Sequence, residues 1–183
     1  MDLAEELERI AALAAEHADE GEEVTGVLAA EPAVGERLYL CAYGTPGGSR
    51  TWLAFDASGE PVDNRARVRD AVSITALCEV AEETAGGGDL ADLRSQLVAL
   101  RLTENPPGID EAEEAALALE ATITVPPRIA SPAYLDAVGS AARRLEQALG
   151  DDGSPFANVM QTAIGSVELL TREVESAYKR ALS

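Results

Sequence analysis

Several side chains that commonly carry out catalysis are scarce in this chain. Its 183 residues include one lysine, Lys179, and one histidine, His17. A Ser-His-Asp triad or a histidine-rich metal site would have to use that single histidine. The two cysteines, Cys41 and Cys78, stand within apolar runs and lack both metal-ligand and C-x-x-C spacing. The composition therefore disfavours histidine, zinc and thiol chemistry.

Long apolar runs are absent as well. No stretch approaches the roughly 18 consecutive apolar residues that a membrane-spanning helix requires. Three of the first six residues are acidic, and the segment lacks the basic and apolar regions of a signal peptide. Aromatic residues make up only 4% of the chain, so we expect a core of aliphatic side chains. These features predict a cytoplasmic protein with reduced thiols.

Acidic residues dominate the charge of the chain. Asp and Glu total 33 against 14 Lys and Arg, which gives a formal net charge of -19. Such a surface repels phosphate backbones and anionic lipids, so we expect neither nucleic-acid nor membrane binding. Apolar residues form 46% of the chain, the share expected of a globular protein. The length suits a single domain over 1–183.

The first third of the chain predicts a helix followed by strands. Apolar residues recur at steps of three and four over 3–17, which is the spacing of one helix face. A short helix is expected over 22–30. Strand-favouring residues then fill 37–43 and 51–55, with turn residues between them, and 60–62 offers a third short strand. We therefore expect a β-hairpin or a three-stranded meander.

The rest of the chain predicts about five helices in a bundle. Asp63 or Asn64 can cap the first of them, and Asp110 with Glu113 has the spacing of a capping box for a later one. The β-prone segment 123–125 is expected to form a short edge strand. The fold class is α+β and predominantly α. The glycines at 86–88 could act as a hinge between 1–85 and 89–183 within the single domain.

The C-terminal helix is expected to begin at Ser154-Pro155, a capping hydroxyl followed by proline. It has the most regular apolar pattern in the chain. Its a positions are Met160, Val167, Val174 and Ala181, and its d positions are Phe156, Ala163, Leu170 and Ala177. Two interpretations stay open. The helix is a core helix of the bundle, or it pairs with the same helix of a second copy.

Clustered carboxylates on one predicted helix suggest a metal site. Glu79, Glu82 and Glu83 are spaced so that they share one face of that helix. A second set lies at 110–114. Carboxylates from two facing helices can hold Mg²⁺, which prefers oxygen ligands. This pattern predicts, as one alternative, a Mg²⁺-dependent hydrolase that acts on a nucleotide or a phosphorylated small molecule.

Arginines at the start of the helix after the strands suggest an anion site. Arg65 and Arg69 lie one helical turn apart, and a guanidinium group can form two parallel hydrogen bonds to a carboxylate or phosphate. The hairpin aromatics Tyr43 and Trp52 are expected to complete such a site. This pattern predicts a binder of small anionic ligands, as a further alternative.

The leading expectation is a non-enzymatic interaction or regulatory protein. It follows from the scarcity of catalytic side chains and from the long heptad-patterned C-terminal helix. We expect a homodimer or a complex with another protein, with no cofactor. The two rivals, the hydrolase and the anion binder, differ from it in needing Mg²⁺ or an anionic ligand.

Overall fold

The computed structural model describes residues 2–45, 48, 50–86, 89–124, 128–150 and 153–183, with side chains throughout except at 84–86, 89, 124, 158 and 160–170. Its elements confirm an α+β fold that is mostly helical. In chain order they are α1 (Leu3–Ala14), a 3-10 turn (Ala15–His17), β1 (Glu23–Ala30), β2 (Leu38–Gly44), β3 (Thr51–Phe55), α2 (Arg65–Gly86), α3 (Asp89–Thr103), α4 (Ile109–Thr124), β4 (Ile129–Ala130), α5 (Pro132–Leu149) and α6 (Ala157–Leu182).

The four strands form one sheet in the order β3-β2-β1-β4. β2 pairs antiparallel with both β1 and β3, and β4 pairs parallel with the end of β1. The predicted hairpin is therefore confirmed as β2 and β3. Among the described helices, none is both long and apolar enough to cross a membrane.

The predicted helix over 22–30 is wrong, because this segment is the inner strand β1. Val24, Thr25 and Val27 are β-branched and suit a pleated surface, while Gly26 costs a helix about 1 kcal/mol relative to alanine. The backbone groups of this segment are paired along nearly the whole length of β2. Pairing with β2 therefore determines the secondary structure of a segment whose local pattern fits both a helix and a strand.

Three smaller predictions also need correction. The expected strand at 123–125 is wrong for Ile123 and Thr124, which end α4, and Val125 lies outside the described residues. At 60–62 the structure has a single bridge, between Phe55 and Pro61, rather than a strand. The last helix begins at Ala157 rather than at 155, since the residues before it form turns.

The helix starts were predicted with mixed success. Asn64 caps α2 as expected, because its side-chain oxygen accepts hydrogen bonds from the backbone N–H groups of Ala66 and Arg67 at 3.1 and 3.2 Å. Asp110 does not cap α4, which begins one residue earlier, at Ile109. Its carboxylate instead contacts an arginine of the preceding helix.

The chain forms two compact units. The first comprises Met1–Leu77 and Pro126–Pro132, and the second comprises Cys78–Val125 and Ala133–Ala181. The division falls inside α2, between Leu77 and Cys78. The first unit holds α1 and the sheet, and the second holds the helices from the end of α2 onwards.

The core of the first unit lies between α1 and one face of the sheet. Tyr39, Cys41 and Tyr43 alternate along β2 and pack with Ile10 and Phe55. Two tyrosine hydroxyls fasten the helix to the strand. The Tyr43 hydroxyl donates to the Ala14 carbonyl at 2.7 Å, and the Tyr39 hydroxyl donates to the Glu6 carboxylate at 2.5 Å. These bonds satisfy the polar atoms of two side chains that are otherwise fully buried.

The turn after β3 requires glycine at position 59. Gly59 has φ +87°, a conformation that L side chains rarely adopt. A Cβ at this position would also lie 3.0 Å from the Cβ of Leu13, which is closer than normal packing allows. The turn itself is held by Asp56, whose carboxylate accepts hydrogen bonds from Ser58. The Ser58 hydroxyl is the main reason that the pKa of Asp56 lies below its usual value.

We expect Gly59→Ala to lower the free energy of unfolding by more than about 1–2 kcal/mol, the cost of the left-handed conformation alone. The overlap with Leu13 adds to that cost. Gly21→Ala is the matched control, because Gly21 has φ +85° and no atom within 4 Å of the added Cβ. Urea unfolding of both variants gives the difference. Equal losses in the two variants would show that the Leu13 contact contributes nothing.

Candidate functional site

Helices α3 and α4 of the second unit form an antiparallel pair that exposes apolar side chains. Asn105 and Gly108 make the turn between them with φ values of +44° and +87°. Two ion pairs, at different positions along the helices, hold α3 and α4 together. Arg94 contacts Glu120 near one end, and Arg101 contacts Glu113 near the turn. Because the residue numbers rise on α3 as they fall on α4, these contacts fix the register of the two helices.

Arg101 is the most heavily bonded arginine of this pair. Its Nε donates to one oxygen of Glu113 at 2.9 Å, and its terminal nitrogen donates to the other at 2.6 Å. The same terminal nitrogen contacts Asp110. The side-chain hydrogen bond with Glu113 is the largest cause of the raised pKa of Arg101. Two carboxylates of the set that the sequence suggested as a second group of metal ligands, Asp110 and Glu113, are therefore both paired with Arg101.

Three exposed apolar side chains lie on this helix pair, two of them, Val98 and Leu117, at positions between the two ion pairs and the third, Leu102, just beyond Arg101. Val98 is 51% exposed and Leu102 is 80% exposed on α3, and Leu117 is 49% exposed on α4. Val98 and Leu117 line a cleft of about 120 Å³ whose other walls are Leu97, Arg94 and Glu113. Leu97 itself is fully buried and forms the apolar wall nearest the core. We call Val98, Leu102 and Leu117 the α3–α4 patch.

A signal for the α3–α4 patch is present in the sequence. The buried stripe of α3 is Leu90, Leu93 and Leu97. Val98 and Leu102 fall outside that stripe yet are apolar. Large apolar residues on the outer face of an amphipathic helix mark a surface that another element can cover.

The structure describes all four residues of the predicted anion site. Tyr43 is buried, and its hydroxyl is already bonded to the Ala14 carbonyl. Arg69 lies 3.5 Å from the neighbouring Asp70, and Arg65 is exposed at the first residue of α2. Trp52 is exposed on β3. No hydrogen bond or ion pair joins one of these four side chains to another.

The predicted metal residues lie on α2 but do not form a cluster. Glu79 and Glu83 are exposed, and Glu82 accepts a hydrogen bond from the Tyr134 hydroxyl at 2.7 Å. In the second acidic set, Glu114 contacts Arg144 of α5 at 2.9 Å. Among the described residues, no group of three or more His, Cys, Asp or Glu side chains is placed to hold a metal ion.

The described part of the heptad stripe of α6 is packed within the chain. Phe156, Val174 and Ala177 are buried, and Ala181 is partly exposed. Val174 lies against α5 at Gly139, where an added Cβ would be 3.1 Å from the Val174 side chain. Met160, Ala163, Val167 and Leu170 lie outside the residues whose side chains are described. Where its side chains are described, the stripe acts as a core seam, which is the first of the two interpretations.

Comparisons of the chain with protein-family models, with curated proteins and with solved structures find no match.

Proposed function

We propose that this chain is a non-enzymatic interaction protein that self-associates through the α3–α4 patch. The observation that carries the proposal is the group of exposed apolar side chains, Val98, Leu102 and Leu117, on two adjacent helices. An apolar centre with a charged rim is the usual anatomy of a protein interface. Here the ion pairs of Arg94 and Arg101 lie on either side of Val98 and Leu117 along the helices.

The charge around the patch favours a second copy as the partner. Two arginines, Arg94 and Arg101, face three acids there, namely Glu113, Glu120 and Asp110. The whole chain has 14 basic residues against 33 acidic ones, so the rim is closer to neutral than the average surface. Two copies can therefore approach here with less repulsion than elsewhere. A two-fold pairing would place the same patch on both sides of the interface.

The proposal predicts the salt dependence of the association. Two copies that each carry a net charge of -19 repel one another at long range. Salt screens charges that are separated by more than about 8 Å at physiological ionic strength. Self-association should therefore strengthen between low and physiological salt. Binding to a basic partner would weaken over the same range.

We expect the double variant Val98→Gln/Leu102→Gln to weaken self-association at least about tenfold, which corresponds to about 1.4 kcal/mol. The reason is that both substitutions replace apolar contact area with polar amides. Sedimentation velocity over a concentration series measures the effect. Val34→Gln/Val72→Gln is the matched control, because both valines are also exposed but belong to the first unit. A wild-type chain that stays monomeric at every concentration would overturn the proposal.

A further inference from the structure

The exposed face of α3 has large side chains at one end and small ones at the other. Ala91, Ser95, Val98 and Leu102 follow one another at steps of four, three and four residues, so they form one row along the helix. All four side chains are exposed and none is charged. Val98 and Leu102 belong to the α3–α4 patch, and Ala91 and Ser95 extend it toward the start of the helix. We call these four residues the α3 row.

The small end of the α3 row can be covered by apolar side chains at little cost. The Ser95 hydroxyl donates a hydrogen bond to the Ala91 carbonyl at 3.0 Å, so its proton is already bonded within the helix. Facing helices pack best when large side chains meet small ones. A helix that covers the α3 row therefore needs large side chains over Ala91 and Ser95 and small ones at the other end.

A second copy of α3 has this distribution of sizes when it runs antiparallel to the first. Leu102 of one copy then lies opposite Ala91 of the other, and Val98 lies opposite Ser95 in the same way. Each of the four layers joins one large and one small side chain. A parallel pair would instead set two leucines against each other at one end and two alanines at the other, which leaves a gap at the alanines. The antiparallel pair also has the two-fold symmetry of most homodimers.

The same register brings the whole length of α3 into contact. The helix has 15 residues, from Asp89 to Thr103, and is about 22 Å long. When Leu102 lies opposite Ala91, the first residue of each helix lies beside the last residue of the other to within one position. A shift by one heptad, which sets Val98 against Leu102, would leave half of each row without a partner from the other copy. The full overlap is therefore the register that the α3 row favours.

The charged residues beside the α3 row are compatible with this arrangement. On one side of the row, Asp92 lies opposite Ala99 of the other copy, so two acids do not meet there. On the other side, Arg94 approaches Arg101 of the other copy. Each of these arginines is already paired with a glutamate of α4 in its own copy, so the two ion pairs meet rather than two bare cations.

We propose that two copies of the chain associate through α3 helices that run antiparallel to each other. Leu102 of each copy packs over Ala91 of the other. Val98 packs over Ser95 in the same way, and Leu117, across the cleft from Val98, borders the contact on the side of α4. This inference rests on the proposed self-association through the α3–α4 patch and adds the element, the direction and the register of the contact. Four layers make a small interface, so we expect a weak and reversible dimer.

The substitutions Ala91→Cys and Leu102→Cys, made in separate chains, test the direction and the register. Both positions are exposed, so neither change removes core packing, and the native cysteines Cys41 and Cys78 are buried. Under mild oxidation, a mixture of the two variants should form a disulfide-linked dimer whose mass contains one chain of each. Each variant alone should form at least about tenfold less. Its identical cysteines would lie 11 positions apart along the pair, or about 16 Å, whereas a disulfide needs Cα atoms within about 7 Å.

Ala91→Cys mixed with Val34→Cys is the matched control for random collisions, because Val34 is exposed but belongs to the first unit. Efficient cross-linking of either α3 variant alone would indicate a parallel pair and overturn the proposal. A mixture of the α3 variants that sediments as a dimer but forms no more disulfide than the control would overturn the pairing through α3, while self-association through another part of the patch would stand. A wild-type chain that stays monomeric at every concentration would overturn both.

Discussion

Raising the pH from 9 to 12 is expected to unfold the first unit through two buried side chains of β2. Cys41 and Tyr43 lie two residues apart on the face of the sheet that packs against α1, and both are almost fully buried. Burial raises the pKa of the Cys41 thiol to about 11 and is the main reason that the pKa of Tyr43 is raised to about 12. The folded chain must keep both groups protonated.

The direction of the effect follows from proton binding. In the unfolded chain the thiol and the phenol lose their protons near their usual pKa values of about 9 and 10. Between those values and the raised ones, the folded state holds more protons, so stability falls as the pH rises. Each change in pKa corresponds to a few kcal/mol. Together they amount to about 5 kcal/mol, which is comparable with the total stability of a small protein.

The variant Cys41→Ala/Tyr43→Phe separates this effect from general alkaline unfolding. It is less stable at pH 7, because the Ala14 carbonyl loses its donor and the alanine leaves a small void. Its stability should nevertheless fall much less between pH 9 and 11 than that of the wild type. Urea unfolding followed by circular dichroism at each pH gives the two slopes. An unchanged slope would mean that other groups control the loss of stability at high pH. One such group is the Tyr39 phenol, whose pKa is also raised.

The elements that could be predicted are those whose local pattern agrees with their tertiary environment. β2 and β3 are rich in strand-favouring residues and occupy paired positions in the sheet. α5 begins at Pro132, directly after Ser131, and a capping residue followed by proline is a common start of a helix. β1 was missed because its short apolar segment suits a helix and a strand equally well. β4 has only two residues, Ile129 and Ala130, which is too few to carry a pattern.

The site was harder to predict than the fold, because its contacts join residues that are distant in sequence. Arg101 and Glu113 are 12 residues apart, and Arg94 and Glu120 are 26 apart. Their pairing depends on the turn at Asn105 and on the register of two helices. A list of acidic residues could therefore suggest a metal site where the fold places arginines among the carboxylates. Charge pattern alone does not reveal which acid meets which base.

The exposed apolar residues of α3 can be recognised in the sequence once the buried stripe of that helix has been assigned. Counting Leu90, Leu93 and Leu97 as one stripe accounts for the buried face. Val98 and Leu102 are apolar but lie outside that stripe, so packing in the core does not explain them. In α6, by contrast, Val174 and Ala177 are buried, so packing in the core explains why they are apolar. The proposed interface therefore lies on α3 and α4.

Two neighbouring residues of α3 should separate stability from association. Leu97 is fully buried beneath the cleft, whereas Val98 is half exposed beside it. We expect Leu97→Ala to lower the free energy of unfolding by about 2–5 kcal/mol, because it removes buried contacts and enlarges a cavity. Val98→Ala should change it by less than about 0.5 kcal/mol, as is usual for surface substitutions. Urea unfolding under conditions in which the chain is monomeric measures both values.

The effects of the same two substitutions on self-association should differ in the opposite sense from their effects on stability. Val98→Ala should weaken self-association while leaving the monomer intact, because it removes contact area only from the α3–α4 patch. Leu97→Ala should act mainly on the monomer, since Leu97 has no exposed surface to offer a partner. A Val98→Ala variant that loses as much stability as Leu97→Ala would place Val98 in the core and overturn the patch as an interface. A Val98→Ala variant with wild-type stability and weakened association would tie self-association to this surface.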